Sequence, residues 1–278
     1  MSEESQGEMT FIQHLEVLRF HLMRSAIAVL VFSILAFVNK GFLFDEVIFG
    51  PKRADFFTFQ KLCELSEFLN QKIPSLFNDP TLLCIGADFP PLQNIDMAGQ
   101  FTSHIMVSII AGLVLSFPYL LFEMWRFIKP GLEQNESKYA RGIVFWASLL
   151  FLTGVLFGYY LIAPLSVNFF FTYSISDQVQ TLPTLSTYVS TVTGVVLAAG
   201  IVFELPLIVY FLSKVGVLSP KILRSYRKHF VVVALILSAI ITPPDIFSQI
   251  LVTIPLVFLY EISIGISGRV VALNAQKK

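Results

Sequence analysis

The chain has 278 residues, of which 55% are hydrophobic and only 14% are charged, and its mean hydropathy is +0.73. Soluble domains carry about 25% charged residues, so this composition excludes an ordinary soluble protein and predicts that most of the chain faces lipid or other buried helices. The formal net charge is zero, which argues against a nucleic-acid partner.

The first nine residues are acidic and precede neither a basic region nor a small-residue cleavage site. We therefore expect no removable signal peptide, and we expect the first apolar segment to remain as a helix. Six apolar segments are predicted to be transmembrane helices, and no linker divides them, so one membrane domain is expected over 1–278. The segments are 22–43, 101–122, 142–165, 187–212, 228–242 and 246–263.

The last two segments are short. Phe230–Thr242 has 13 uncharged residues and Ile246–Tyr260 has 15. Helices of these lengths measure roughly 20 and 23 Å, against a hydrocarbon core of about 30 Å. We therefore predict two short final helices in a locally thinned membrane. They are joined by Pro243-Pro244-Asp245, and Asp245 is expected to cap the sixth helix.

Prolines predict where helices begin and where they bend. Ser219 followed by Pro220 indicates a capped start for the fifth helix, within the basic stretch before its apolar part. Prolines inside predicted spans remove a backbone hydrogen bond and bend a helix. A concave bundle is therefore predicted from four such positions, which are Pro118, Pro164, Pro206 and Pro255.

Lysine and arginine counts predict the orientation. One side of the membrane receives 14 of these residues and the other receives five, which are Lys40, Lys52, Arg53, Lys61 and Lys72. The positive-inside rule then places both termini in the cytoplasm. The segment 44–100 is accordingly an extended first loop on the outer side. It contains the only two cysteines, Cys63 and Cys84, which are predicted to form a disulfide in an oxidising compartment or else to be two separate buried thiols.

The chain lacks the sequence motifs of metalloproteases, serine hydrolases and nucleotide-binding loops. Its four histidines have no metal-ligand spacing and are predicted to be interfacial residues. We therefore expect neither an enzyme nor a metal or cofactor site.

Acidic residues are the best candidates for a functional site. Glu204 lies in an otherwise uncharged part of the fourth span, where a carboxylate costs about 2.5–3.5 kcal/mol, so we expect it to face a protein cavity. The alternative is a neutral glutamate that hydrogen-bonds a neighbouring helix.

A second group of acids lies among basic residues near the cytoplasmic ends of the spans. Carboxylates there could bind guanidinium groups of a partner in bidentate fashion. The alternative is charge balancing, such as an i,i+3 pair of Glu16 with Arg19. The group consists of Glu16, Glu123, Glu133 and Glu136.

These residues occur in four motifs that resemble the TatC family, the multi-spanning core of the twin-arginine protein translocase. His14–Arg19 is similar to the family's HLxELR, and Glu123–Leu132, followed by Glu136, is similar to its first cytoplasmic loop. Phe203–Pro206 matches the glutamate motif of the fourth span. Thr242–Asp245 with Ser248-Gln249 matches the last loop and the sixth span.

The resemblance implies a receptor in the bacterial cytoplasmic membrane for signal peptides that carry two arginines on folded cargo. It implies single-span partners of the TatA/TatB kind, several copies of the chain in one translocase, and use of the proton motive force. The implied peptide-binding residues are Glu136, Glu16, Arg19, Phe127 and Leu132. Glu204 and Gln249 are implied to form a polar site for partners within the membrane, and Pro243, Pro244 and Asp245 the outer loop.

The N-terminal motif departs from the family at one position. The family's glutamate aligns with Val17, and the acid here is one residue earlier, at Glu16. This shift rotates the carboxylate by about 100° around the helix.

Two other classes of protein are alternatives. A proton-coupled small-molecule transporter would use Glu204 and proline-broken helices, but transporters usually carry duplicated halves, and the Glu204 motif has no duplicate. A structural scaffold or insertase would leave the cytoplasmic acids without a purpose.

Overall fold

The computed structural model describes residues 11–73, 79–86, 89–128, 140–179, 181–242 and 246–276. Within these ranges the chain is helical apart from its connecting segments and one isolated β-bridge, so the all-α prediction is confirmed. The α-helices are α1 (Phe11–Val38), α2 (Phe57–Lys72), α3 (Gly99–Ile128), α4 (Ala140–Phe157), α5 (Ala163–Thr172), α6 (Leu185–Phe203), α7 (Leu205–Lys214), α8 (Pro220–Ser225), α9 (Arg227–Ile241) and α10 (Ile246–Gln276).

Five stretches of the described chain are long and apolar enough to cross a membrane. They are Leu15–Val38, Gly99–Phe127, Gly142–Thr172, Leu185–Lys214 and Gln249–Leu273. The remaining predicted span corresponds to α9, whose 15 residues measure about 23 Å. The count of six spans and the cytoplasmic placement of both termini therefore stay predictions.

The predicted short length of the final helix is wrong. α10 has 31 residues, so it continues well past position 263 and measures about 47 Å. The uncharged run ends at Glu261, but the helix does not, because glutamate is itself a good helix former. The exposed Glu261 carboxylate accepts from Arg227 Nη2 over 2.7 Å. A charge with a partner interrupts an apolar sequence without ending the helix. The expectation of a short helix is confirmed for α9 alone.

The fifth predicted helix begins as two pieces. Ile222 N–H donates to Ser219 Oγ over 3.3 Å, and Pro220 occupies the first turn of α8, so the predicted capped start is confirmed. The helix is then interrupted at Tyr226, which ends α8 and precedes the start of α9.

Two of the four prolines coincide with interrupted spans. Before Pro164, the chain forms a π-helical turn over Gly158–Ile162 between α4 and α5. Pro164 has no N–H to bond the Tyr160 carbonyl, and the Thr58 hydroxyl donates to that carbonyl instead. Pro206 lies in the first turn of α7, directly after the boundary with α6. The other two prolines, Pro118 and Pro255, lie within continuous helices.

The chain divides into two compact units. The first comprises residues 1–38 and 108–149 and contains α1 and most of α3. Here the backbones of α1 and α3 approach closely. A Cβ atom added at Gly112 would lie only 2.6 Å from the Ser33 backbone nitrogen. Small residues permit such close helix contacts in membranes.

The second unit comprises residues 39–107 and 150–278. One apolar cluster joins α6, α9 and α10 with the end of the π-helical turn, and consists of Ile162, Val195, Ala199, Ala234, Val252 and Leu256. Polar pairs add to it: Ser213 Oγ donates to Ser267 Oγ over 2.7 Å, and the Tyr260 hydroxyl donates to the Leu223 carbonyl over 2.9 Å. This unit is therefore held by apolar packing together with partnered polar side chains.

The segment 44–100 also belongs to the second unit and is fixed to its helices. A π-helical turn over Phe42–Ile48 ends with two carbonyls that accept hydrogen bonds from tyrosine hydroxyls. Tyr159 donates to Val47 and Tyr188 donates to Ile48, each over 2.8 Å. Further along the segment, Cys63 and Cys84 form a disulfide, which is the first of the two alternatives for these cysteines.

Candidate functional site

The N-terminal motif lies near the start of α1. Glu16 and Arg19 are exposed, and Arg19 borders a shallow groove of about 380 Å³ along one face of the helix. The rest of the groove is apolar, and it is lined by Leu15, Leu18, Leu22, Met23 and Ala26. The motif thus presents charged side chains beside a surface that would accept an apolar chain.

Glu123 links α1 to α3 and is not open to a partner. Its side chain is 1% exposed, and His21 Nδ1 donates to Oε2 over 2.5 Å. Arg126 and Arg24 place nitrogens 3.4 and 4.0 Å from its two oxygens. Of the two alternatives for this group of acids, charge balancing therefore applies to Glu123, since positive groups of this chain already surround it.

The same cluster brings a predicted peptide-binding residue to α1. The ring of Phe127, in the last turn of α3, meets the His21 ring edge-to-face with centroids 6.2 Å apart. The chain then enters the predicted first cytoplasmic loop. Leu132 and Glu136 of that loop, like the motif residue His14 and the loop acid Glu133, have no described side chain.

Glu204 occupies the boundary between α6 and α7. It ends α6, and its carbonyl accepts from the N–H groups of Leu207 and Ile208 over 2.9 and 3.1 Å. Only 7% of the residue is exposed, yet neither carboxylate oxygen has a hydrogen-bond partner among the described residues. The alternative was a glutamate that hydrogen-bonds a neighbouring helix, and no such hydrogen bond is present among the described residues.

An unpartnered buried carboxylate is costly, because it loses its hydration without gaining a substitute. Pro206 accounts for the interruption of the helix at this position, because it has no N–H to continue the helical hydrogen-bond pattern. Glu204 is therefore the strongest candidate for a polar contact from outside the described chain.

Gln249 is already bonded within the protein. Its Nε2 donates to the Leu235 carbonyl of α9 over 3.1 Å. Next to it, the hydroxyls of Ser238 and Thr253 lie 2.8 Å apart and join α9 to α10. Gln249 and Glu204 share no hydrogen bond, so the predicted joint polar site is not formed by direct contact. Pro243, Pro244 and Asp245 lie outside the described residues.

The described residues contain no group of three or more His, Cys, Asp or Glu side chains placed to hold a metal ion. The contact that sequence reasoning missed is the one between His21 and Glu123. A sequence signal existed: both residues lie near the predicted cytoplasmic ends of their spans, and an acid at such a depth requires a positive partner.

Several apolar helices of spanning length, some interrupted at prolines and joined by buried polar pairs, define a multi-spanning membrane protein. The family model described as Sec-independent protein translocase protein (TatC) matches residues 13–255. The chain therefore belongs to the TatC family, a non-enzymatic membrane component of a protein translocase.

Relatives and solved structures agree with this membership. A Sec-independent protein translocase protein TatC of Blattabacterium sp. subsp. Periplaneta americana (strain BPLAN) is 39% identical and covers 95% of this chain and 97% of the relative. A TatC of Aquifex aeolicus (strain VF5) is 33% identical, covering 92% and 93%. A crystal structure of a twin-arginine translocase receptor TatC in DDM has a TM-score of 0.66 at 30% identity, covering 91% of this chain and 99% of that one.

Proposed function

We propose that this protein is the signal-peptide receptor of a twin-arginine translocase in a bacterial cytoplasmic membrane, with both termini in the cytoplasm. It binds the arginine pair of a signal peptide at its cytoplasmic face. Together with TatA/TatB-type single-span proteins and further copies of itself, it exports folded proteins by using the proton motive force. Family membership and the name of the matching crystal structure support this role.

The observation that carries the proposal is the coupling of α1 to the end of α3. His21 contacts both Glu123 and Phe127, so the helix with Glu16 and Arg19 is held beside the start of the loop that contains Glu136. A peptide with two guanidinium groups requires carboxylates that are close together and not already neutralised. Glu136 and Glu16 are assigned this role, and Leu132 and Phe127 provide the adjacent apolar contacts.

The groove on α1 supports the same assignment. A signal peptide continues from its arginines into an apolar stretch, and the Arg19 side chain borders an apolar groove rather than a polar one. The positive charge of Arg19 also excludes a second cation from the groove itself. We therefore assign the arginine pair to the carboxylates and the apolar stretch to the groove.

Glu204 supports the proposed single-span partners. Both of its carboxylate oxygens are buried without a bond in the described chain, within a span. A polar side chain on the transmembrane helix of a TatA/TatB-type protein would supply the missing hydrogen bond. Gln249 contributes indirectly, by fixing α10 against α9.

Photocrosslinking tests the receptor role. The full-length protein is placed in vesicles and offered a precursor that carries a photoreactive group beside its arginine pair. We expect a strong crosslink that Glu136→Gln abolishes, because the neutral amide cannot form the charge-assisted pair. A Glu136→Gln variant that crosslinks as well as the unmodified protein would refute the assigned role.

The matched control is Glu133→Gln, which removes one acid from the same loop three positions earlier. Its crosslink should persist, and equal loss in both variants would indicate a general dependence on loop charge instead. A precursor with two lysines in place of the arginines should crosslink poorly, because lysine cannot make bidentate pairs.

A further inference from the structure

The helix α2 is held in one fixed orientation by its inner face. Phe59 and Ser66 are 2% and 0% exposed. The Ser66 hydroxyl accepts a hydrogen bond from the Leu83 N–H over 3.2 Å, and Cys63 is bonded to Cys84. The opposite face of α2 is therefore not free to rotate inward.

That opposite face carries a stripe of alternating apolar and basic residues, which we call the α2 stripe. Its members are Phe57, Lys61, Leu65, Phe68 and Lys72. At about 100° per residue, these five positions fall within roughly 80° of the helix circumference. Phe57, Leu65 and Phe68 are 57%, 45% and 54% exposed, so large apolar groups face outward here.

Each basic residue of the stripe contacts another side chain of α2. Lys72 Nζ lies 6.0 Å from the centre of the Phe68 ring. Lys61 Nζ donates to Glu64 Oε2 over 2.6 Å, and Glu64 lies on the flank of the stripe. Both ammonium groups are on stems that can extend beyond the apolar surface, as lysines do at membrane interfaces.

The stripe begins beside the third span, at Tyr160. Phe57 meets the Tyr160 ring edge-to-face at 6.0 Å, and the Thr58 hydroxyl donates to the Tyr160 carbonyl. Tyr160 lies 18 positions after Gly142, the first residue of its span, and 12 positions before Thr172, the last. Tyrosine is a residue that is enriched at membrane interfaces.

The stripe is also continuous with the lipid-facing surface of that span. Tyr160 is 43% exposed, and Leu156, one turn closer to the membrane centre, is 55% exposed. An apolar surface that passes directly from a transmembrane helix onto α2 fits a bilayer better than a separate soluble protein. The interleaved lysines fit the phosphate groups of anionic lipids.

We propose that α2 lies on the membrane surface at its end of the spans, with the α2 stripe facing the lipid. Phe57, Leu65 and Phe68 enter the boundary between headgroups and acyl chains, and Lys61 and Lys72 bind the phosphates of anionic phospholipids. The disulfide and the hydrogen bond from Thr58 to the Tyr160 carbonyl then hold the interrupted third span at a fixed depth. The inference rests on the membrane location of the spans and not on the proposed peptide-binding role.

Photocrosslinking to lipid tests the proposal. The full-length protein, with p-benzoylphenylalanine replacing Phe68, is reconstituted into vesicles of phosphatidylcholine and phosphatidylglycerol, and adducts are identified by mass spectrometry. The matched control replaces Glu67, which lies about 120° from the middle of the stripe. We expect phospholipid adducts at least fivefold more abundant at position 68 than at position 67.

Three outcomes would overturn the proposal: protein adducts at position 68, equal lipid adducts at both positions, or none at either. The first would assign the stripe to a second copy or another protein. The combined variant Lys61→Glu and Lys72→Glu should reduce phosphatidylglycerol adducts at position 68 several-fold, and an unchanged yield would refute the role of the lysines. Retention of the Cys63–Cys84 bond on a non-reducing gel shows that the insert still folds in each variant.

Discussion

Glu123 and Glu204 are both buried glutamates within stretches of membrane-spanning length, but their surroundings are opposite. Glu123 is 1% exposed and has three positively charged or chargeable side chains within 4.0 Å. Glu204 is 7% exposed, and both of its carboxylate oxygens lack a partner among the described residues. Burial alone therefore does not identify a functional acid. An acid whose bonds are already formed stabilises the fold, whereas an acid without them is suited to a ligand or partner.

The largest expected effect is at Glu123. We expect Glu123→Ala to destabilise the protein by about 3–5 kcal/mol, because removing one member of a buried pair leaves His21 without its acceptor. The effect should be measured as the midpoint of thermal unfolding in detergent and as the amount of protein in the membrane. Glu123→Gln, which can still accept the hydrogen bond from His21, should lose clearly less.

The exposed pair of Glu261 with Arg227 provides the control for Glu123. The two side chains are 46% and 50% exposed, and surface pairs contribute about 0–1 kcal/mol. Glu261→Gln should therefore shift the unfolding midpoint only slightly. A loss as large as that of Glu123→Ala would contradict the distinction between the buried network and the surface pair.

At Glu204 we expect a substitution to reduce function without reducing the stability of the protein. Glu204→Gln should leave the unfolding midpoint unchanged or raised, because a carboxylate within a span costs about 2.5–3.5 kcal/mol and no described hydrogen bond is lost. Export of a reporter with a twin-arginine signal should nevertheless fall at least tenfold, if partners bind at this carboxylate. A lowered midpoint with normal export would show instead that Glu204 is a structural residue with a partner.

The sequence predicted the class of fold well, because length, hydropathy and proline placement are local properties. The interruptions near Pro164 and Pro206 fit a missing N–H group. Pro118 and Pro255 lie within continuous helices, so a proline in the sequence does not by itself predict an interruption. The length of α10 did not follow, since the end of the uncharged run at Glu261 is not the end of the helix. A charged residue ends an apolar run in the sequence, but it does not by itself end a helix, because glutamate is a good helix former.

The candidate site was predictable in part. Glu204 was identifiable because a lone acid in an apolar span is unusual. The hydrogen bonds of Glu123 and Gln249 could not be predicted, because each needs an atom from another helix. Glu123 is bonded to His21 Nδ1, and Gln249 is bonded to the Leu235 carbonyl. Sequence patterns show where a polar group lies along a helix, but not whether its hydrogen bonds are already made.

The smallest predicted effect concerns the close approach that brings α1 and α3 together. Gly112→Ala should destabilise the protein by about 1–3 kcal/mol, because the new methyl group would meet the Ser33 backbone and the two helices would have to separate. Gly194→Ala is the matched control: nothing lies within 4 Å of its Cβ position, and alanine is favoured over glycine in a helix, so a gain of up to about 1 kcal/mol is expected. Opposite shifts of the two unfolding midpoints would show that α1 is held to α3 by backbone contact as well as by Glu123. Equal shifts of the two midpoints would indicate that the charged side chains around Glu123 form the main contact between α1 and α3. Glu123 would then differ from Glu204 even more clearly as a residue that stabilises the fold.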